Sequence, residues 1–162
     1  MRLSRSWTSR SRRPGEPGEA YTFVSRDEFK EGIAAGRFLE WAEFNGNLYG
    51  TPVLEVGGSG SVVLEIDSQG ARSIREWDQG ALIVALVPPS LEALADRMAG
   101  RGDSAGHIAA RIEIAESELA DLRKIADVMV VNDSLERATD QVVAVVRSRL
   151  SGSGDAAPAR LE

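Results

Sequence analysis

Cysteine is absent from this sequence, and histidine occurs once, at His107. The first absence excludes disulfides, zinc-thiolate centres and thiol nucleophiles. It agrees with a reducing compartment. The second excludes metal sites built from several histidines, and His107 itself is expected at a solvent-exposed helix position. Lysine is nearly absent too: Lys30 precedes Glu31 and Lys124 precedes Ile125, so neither stands in a Gly-Lys-Ser/Thr context. No apolar run approaches the roughly 18 residues that a membrane span requires. No apolar segment follows the basic N-terminus, so a cytoplasmic location is the expectation.

What is present is enough apolar residue, 43% of 162 positions, for one domain with a core. The net charge of −6 argues against wholesale nucleic-acid binding. That charge is unevenly spread. Arg2, Arg5, Arg10, Arg12 and Arg13 crowd the first thirteen residues with no acid among them. A disordered basic tail is one reading. An anion site is the other, because the planar guanidinium fork suits phosphate.

Further along, residues 20–24 read as a short strand. Ser25 with Glu28 three residues on makes a capping box for a helix that Gly36 is placed to end. Residues 38–44 and 47–51 read as strands around Asn45-Gly46, a strong tight-turn signal. Residues 57–60 read as a flexible connector. Continuous apolar runs at 61–66, 81–87 and 127–131 predict buried parallel strands. Between them lie helices at 68–77, from Ser90 onward, and at about 107–125. A last helix, capped by Asp133 with Glu136, is expected to end near Leu150. Residues 151–162 are predicted to be a disordered tail. The alternation predicts an α/β fold with a parallel sheet, which binds ligands beyond the carboxyl ends of its strands. Glu65, Asp67, Asn132 and Asp133 fall there. Each also has a structural reading, since acids end strands and cap helices.

Six stretches need a joint explanation: SRSWTSRSRRPGE (4–16), AYTFVSRDEF (20–29), GRFLEWAEFNGNLYGTP (36–52), VVLEIDSQGA (62–71), PPSLEALADRMAGRG (88–102) and VVNDSLERA (130–138). In order and spacing they resemble the guanylate kinase family, over about residues 3–150 and with actinobacterial-type members most similar. The resemblance implies a P-loop nucleoside monophosphate kinase fold. Its sheet is parallel with helices on both faces, and it carries a small GMP-binding helix-hairpin subdomain and a lid. On that frame residues 1–150 form one guanylate kinase-like domain. Residues 3–16 and 20–60 bind GMP, 61–99 and 127–150 form the core, and 100–115 form the lid.

The resemblance also implies roles. Guanine presents two donors, N1–H and N2–H2, and the carboxylate accepting both falls at Glu40, supported by the hydroxyls of Ser6 and Thr51. A site made to pair such donors rejects a base that lacks them. Arg10 and Arg13 would hold the GMP phosphate through charge-assisted bonds, with Tyr21 and Tyr49 adding hydroxyl hydrogen bonds. Glu65 and Asp67 would lie between the two nucleotides, contacting guanine and orienting water on the Mg²⁺ that accompanies ATP. Arg97, Arg101 and Arg111 would close over the transferring phosphoryl group. Arg111 also fits the polar face of the long helix. Asn132 would lie near adenine. No metal ligand is implied directly, and neither a nucleic acid nor a membrane is an expected partner.

The sequence departs from the family in one large respect. The family opens with a strand, a G-x-x-x-x-G-K-[ST] loop whose backbone N–H groups cradle the ATP phosphates, and a helix. Residues 1–162 contain no such loop. The expectation is an N-terminally truncated guanylate kinase, inactive alone, or one completed by a second chain supplying the loop. The alternative is a non-catalytic module that binds GMP or a phosphorylated partner. The segments between Thr51 and Glu65, between Glu16 and Tyr21, and at the lid turn GDSAGH are also shorter than usual.

Overall fold

The computed structural model describes residues 1–56 and 60–152. The chain divides into two compact units, Met1–Ala81 and Leu82–Glu162.

The first unit is organised by a four-stranded sheet in the order β3-β2-β5-β4. Its strands are β2 (Trp7–Thr8), β3 (Thr22–Phe23), β4 (Phe38–Phe44) and β5 (Asn47–Pro52). β2 runs parallel to β3 and antiparallel to β5. The β4–β5 hairpin closes through Asn45 and Gly46, both at positive φ (49° and 72°), as a two-residue primed turn requires. α1 (Arg26–Ala34) opens as expected: the Ser25 hydroxyl accepts from the Glu28 N–H at 3.1 Å. Gly36, at φ 64°, follows its end.

The two faces of this sheet have different tasks. On one, Phe29 of α1 is fully buried and stacks on Phe38 with centroids 4.4 Å apart, while Trp7 meets Phe38 edge-on. On the other lie Glu40 and Ala42, opposite Thr51 and Tyr49. Simple alternation would put Phe38 and Glu40 on the same face. The register shifts by one residue between them, a β-bulge that sends Phe38 to the helix and Glu40 to the opposite side.

A short parallel pair joins β1 (Arg2–Leu3) to β6 (Val62–Val63). α2 (Val53–Val56) follows β5, and α3 (Ser68–Trp77) follows β6. The strand expected over 61–66 shrinks to Val62–Val63, because β1 offers only two residues to pair with. The one expected over 20–24 shrinks to Thr22–Phe23 for the same reason, β2 being two residues long. Of the expected connector 57–60, residues 57–59 lie outside the described residues.

In the second unit β7 (Val84–Val87) pairs in parallel with β8 (Val128–Val131). Around them lie α4 (Leu91–Gly100), α5 (Ala105–Ile125) and α6 (Leu135–Gly152). Ser90 and Ser104 cap α4 and α5 through the N–H groups of Ala93 and His107. The expected strands start late: before them the Asp127 carboxylate accepts from the Ile83 N–H at 2.8 Å, while the Asp127 N–H donates to the Ile83 carbonyl at 2.9 Å. Nor are they buried throughout. Ala85, Val87 and Val130 are core residues, but Leu86 is 57% exposed, and Met129 and Val131 are exposed. Only one face of this two-stranded ladder is covered, so side chains alternate in and out.

The cap of α6 also differs from expectation. The hydroxyl of Ser134, not Asp133, accepts from the Arg137 N–H at 3.3 Å. Asp133 accepts instead from the Ser134 N–H at 2.6 Å and pairs with the Arg137 side chain. Ser151 and Gly152, assigned to the tail, are the last residues of α6, and residues 153–162 lie outside the described residues. Among the described residues no helix is long and apolar enough to cross a membrane.

Candidate nucleotide site

The pocket-facing side of the first sheet, together with the segment leading into α3, encloses an open cavity of about 220 Å³. Ser6, Tyr21, Glu40, Tyr49, Glu65 and Asp67 line it, with Gly50 and Ile66 in its walls. Six residues singled out from sequence thus meet around one space. They come from four separate stretches of chain. The volume lies below the roughly 300–1,000 Å³ usual for drug-sized ligands. A mononucleotide would therefore project past its mouth.

Glu40 is the unusual group here. It is 5% exposed, and burial pushes its carboxyl above the ordinary carboxylate value, with the charge of Asp67 adding to the effect and Thr51 opposing it. Thr51 is fully buried beside it, and its side chain and backbone next to the carboxyl are what oppose the shift. Thr51 therefore backs Glu40 and is not part of the cavity wall. Asp67 is committed to structure as well as to the cavity: its Oδ1 caps α3 by accepting from the Gly70 N–H at 2.9 Å.

Close to the cavity, Arg10 lies with its guanidinium carbon 5.0 Å from the Tyr21 ring centre and 5.3 Å from that of Phe23. The rings of Tyr21 and Tyr49 are edge-on at 6.2 Å. Burial, then the charge of Glu65, raises the Tyr21 hydroxyl above its ordinary value, so it serves as a neutral donor. Arg13 is exposed.

A residue not foreseen from the sequence organises the arginines. Glu16 takes Arg10 in a two-pronged ion pair, with Nη1 donating to Oε2 at 2.8 Å and Nη2 paired to Oε1. The same carboxylate accepts from the Arg13 backbone N–H at 3.0 Å, and the Glu16 carbonyl accepts from Arg12 Nε at 2.8 Å. The bonds from Arg10, then Arg13, draw the Glu16 carboxyl down to about 2. The signal was there: Glu16 is the first acid after the arginine run.

The remaining sequence-derived candidates belong to the second unit. Arg97 Nη2 donates to the Asn132 carbonyl at 2.7 Å, bringing those two together. Arg101 pairs with Asp103 at 3.4 Å and Arg111 with Glu118 at 3.3 Å. The side chain of His107 is half exposed and lies 3.3 Å from Asp103.

A carboxylate-lined cavity beside an arginine on aromatic rings, carried by an α/β chain, suits a ligand that combines hydrogen-bond donors with an anionic group, as a nucleotide does. Residues 2–149 match the family model Guanylate kinase. The chain is 44% identical over 151 residues to guanylate kinase of Symbiobacterium thermophilum, covering 90% of this chain and 72% of that protein. It is 45% identical over 161 residues to that of the actinobacterium Rubrobacter xylanophilus, covering 96% and 83%. Among solved structures, guanylate kinase from Anaplasma phagocytophilum superposes with a TM-score of 0.78 at 30% identity, over 93% of this chain and 77% of that one. The chain belongs to the guanylate kinase family, a family of nucleotide-binding kinases.

Proposed function

We propose that this chain carries the GMP site and lid of an enzyme that phosphorylates GMP to GDP with ATP, in purine nucleotide metabolism. The observation that carries the reading is a carboxylate, Glu40, buried in the wall of a cavity with no cation hydrogen-bonded to it among the described residues. Guanine N1–H and N2–H2 bring two donors to such a group, whereas adenine offers an acceptor at the first position. Ser6 and Thr51 support the base. Arg10 and Arg13 receive the phosphate, and Tyr21 and Tyr49 add hydroxyl donors. Arg97, Arg101 and Arg111 neutralise charge during transfer, which is positioning and electrostatics in phosphoryl chemistry. Asn132 lies on the adenine side.

ATP enters as its Mg²⁺ complex. Among the described residues no group of three or more acids or histidines could hold a metal alone. Mg²⁺ keeps most of its water and is held by one or two carboxylates with substrate phosphates. Asp67, with Glu65 near it, is the group for a water-mediated contact.

Residues 1–162 hold no Gly-Lys-Ser/Thr loop for the ATP phosphates. By themselves they are expected to bind GMP without turning it over, until the loop is supplied in the same chain or by a second one. The competing reading is a module that binds GMP or a phosphorylated partner and never catalyses. Calorimetry on residues 1–162 tests the common ground: GMP should bind and AMP should bind far more weakly. Equal affinities would remove Glu40 from base recognition. Coupled ADP release then separates the two. Turnover that appears on adding a loop-containing segment supports the enzyme; none supports the module.

A further inference from the structure

Gly70 is the third residue of α3 and the donor to its Asp67 cap. Its φ is not positive, so nothing in the backbone demands glycine there. On helix propensity alone, alanine is the stronger residue. Space explains what conformation does not. A Cβ at position 70 would stand 2.6 Å from Glu40 Oε2, 3.2 Å from Glu40 Cδ and 3.0 Å from Ile66 Cβ. By contrast, Gly100 and Gly106, also helical, would meet nothing within 4 Å. Gly32 of α1 would strike the Phe38 ring, a contact within the apolar core.

We propose that Gly70 is a specificity-determining residue, whose missing side chain leaves the seat against which the Glu40 carboxylate is held to read guanine. This rests on the reading of Glu40 given above. The seat is electrostatically favourable as well as open. It lies at the first turn of α3, where partial positive charge favours an anion. Ile66 flanks it, its Cβ 3.0 Å from where a β-carbon at position 70 would stand. Any β-carbon at position 70 pushes Oε2 away from the helix. Hydrogen bonds from guanine tolerate only a few tenths of an ångström before they weaken, and both oxygens must be in register with N1–H and N2–H2 at once. Gly70 touches no substrate atom in this account; it acts through Glu40.

The test is Gly70→Ala in the full chain, with GMP and AMP affinities by calorimetry and thermal unfolding without ligand. The expected result is a folded protein whose GMP affinity falls roughly ten- to a hundredfold, the loss of one charge-assisted bond. AMP binding should be unchanged, so the preference between the bases collapses. The double variant Gly70→Ala with Glu40→Asp withdraws the acid by one methylene. It should bind GMP no more weakly than Gly70→Ala alone, although Glu40→Asp weakens binding when Gly70 is kept. Wild-type GMP preference in Gly70→Ala would overturn the proposal. If Gly70→Ala fails to fold, the double variant decides: refolding on shortening Glu40 supports the contact, and failure to refold overturns it. A wild-type chain that does not prefer GMP to AMP would instead sink the reading of Glu40 itself.

Discussion

Replacing Glu40 by glutamine should move stability and ligand binding in opposite directions, and the structure gives the reason. The Glu40 carboxyl is buried and its pKa is raised, chiefly by burial. A raised folded-state value means the fold prefers the protonated form. The associated stability is fully present below the ordinary carboxylate pKa and is lost as pH rises through the raised one. Once ionised, the group therefore burdens the empty fold, and a neutral isostere relieves it. Binding runs the other way. A hydrogen bond to a charged group contributes about 1.5–3 kcal/mol and a neutral one about 0.5–1.5 kcal/mol. Glutamine removes one bond to guanine, turns its amide donors toward a donor, and reduces the other bond to a neutral one. The loss is about 2–4 kcal/mol, or roughly 30- to 1,000-fold in Kd. Urea unfolding of the ligand-free proteins should show Glu40→Gln at least as stable as the wild type at pH 7. Calorimetry should show its GMP affinity reduced by that factor. The wild type should also lose GMP affinity as pH falls into the raised range, and the glutamine variant should lack that step. A variant that unfolds more easily and binds GMP normally would refute the reasoning, for Glu40 would then be a structural acid.

Glu16→Gln should flatten the acid limb of unfolding. The Glu16 pKa is lowered from 4.5 to about 2, so its pair with Arg10 stabilises above about 4.5 and fades as pH falls toward 2; unchanged acid unfolding in the variant would contradict the pair's role. Arg10→Lys keeps the charge but not the two-pronged geometry. GMP affinity should weaken by about 1.5–3 kcal/mol while guanosine affinity stays the same, and an equal loss for both would place Arg10 outside phosphate binding. Phe29→Ala should cost about 3–5 kcal/mol of stability, since Phe29 is fully buried against Phe38. A loss under 1 kcal/mol in urea unfolding would mean that α1 does not anchor the sheet.

What could be read from the sequence was whatever a short window contains. The Ser25–Glu28 cap, the Asn45-Gly46 turn and the β4–β5 strands are set by neighbours along the chain, and they stand where the pattern put them. The features that were missed depend on partners far away in sequence. Trp7–Thr8 is too short to show a period, and becomes a strand only because β5 and β3 flank it. The arginine tract, which local charge would leave as a solvated tail, is held by β2 and by Glu16. The bulge after Phe38 leaves no mark on composition, yet without it period-2 reasoning would put Glu40 on the α1 side of the sheet. Resemblance supplied the position of Glu40, and the structure supplied the mechanism that aims it.

That aiming links the energetics of the empty site to its selectivity. Three independent devices converge on one carboxylate: a bulge that turns it, a buried threonine behind it, and a glycine that clears space at a helix start. None of the three supplies a cation, and burial outweighs what Thr51 offers the carboxyl. A buried anion satisfied by the protein itself would gain little from a ligand, since binding would only exchange one set of hydrogen bonds for another. An anion left under-satisfied gains the most from a ligand that brings two donors, and is penalised most by one that brings an acceptor. The discomfort of Glu40 in the empty protein is thus the physical source of base discrimination under the proposed reading. It follows that a substitution which solvates Glu40, by opening the wall at Ile66 for example, should stabilise the carboxylate and erode the preference for GMP together. Ile66→Ser tests this directly. A lowered Glu40 pKa by carboxyl NMR with undiminished GMP-over-AMP selectivity would break the link between the two.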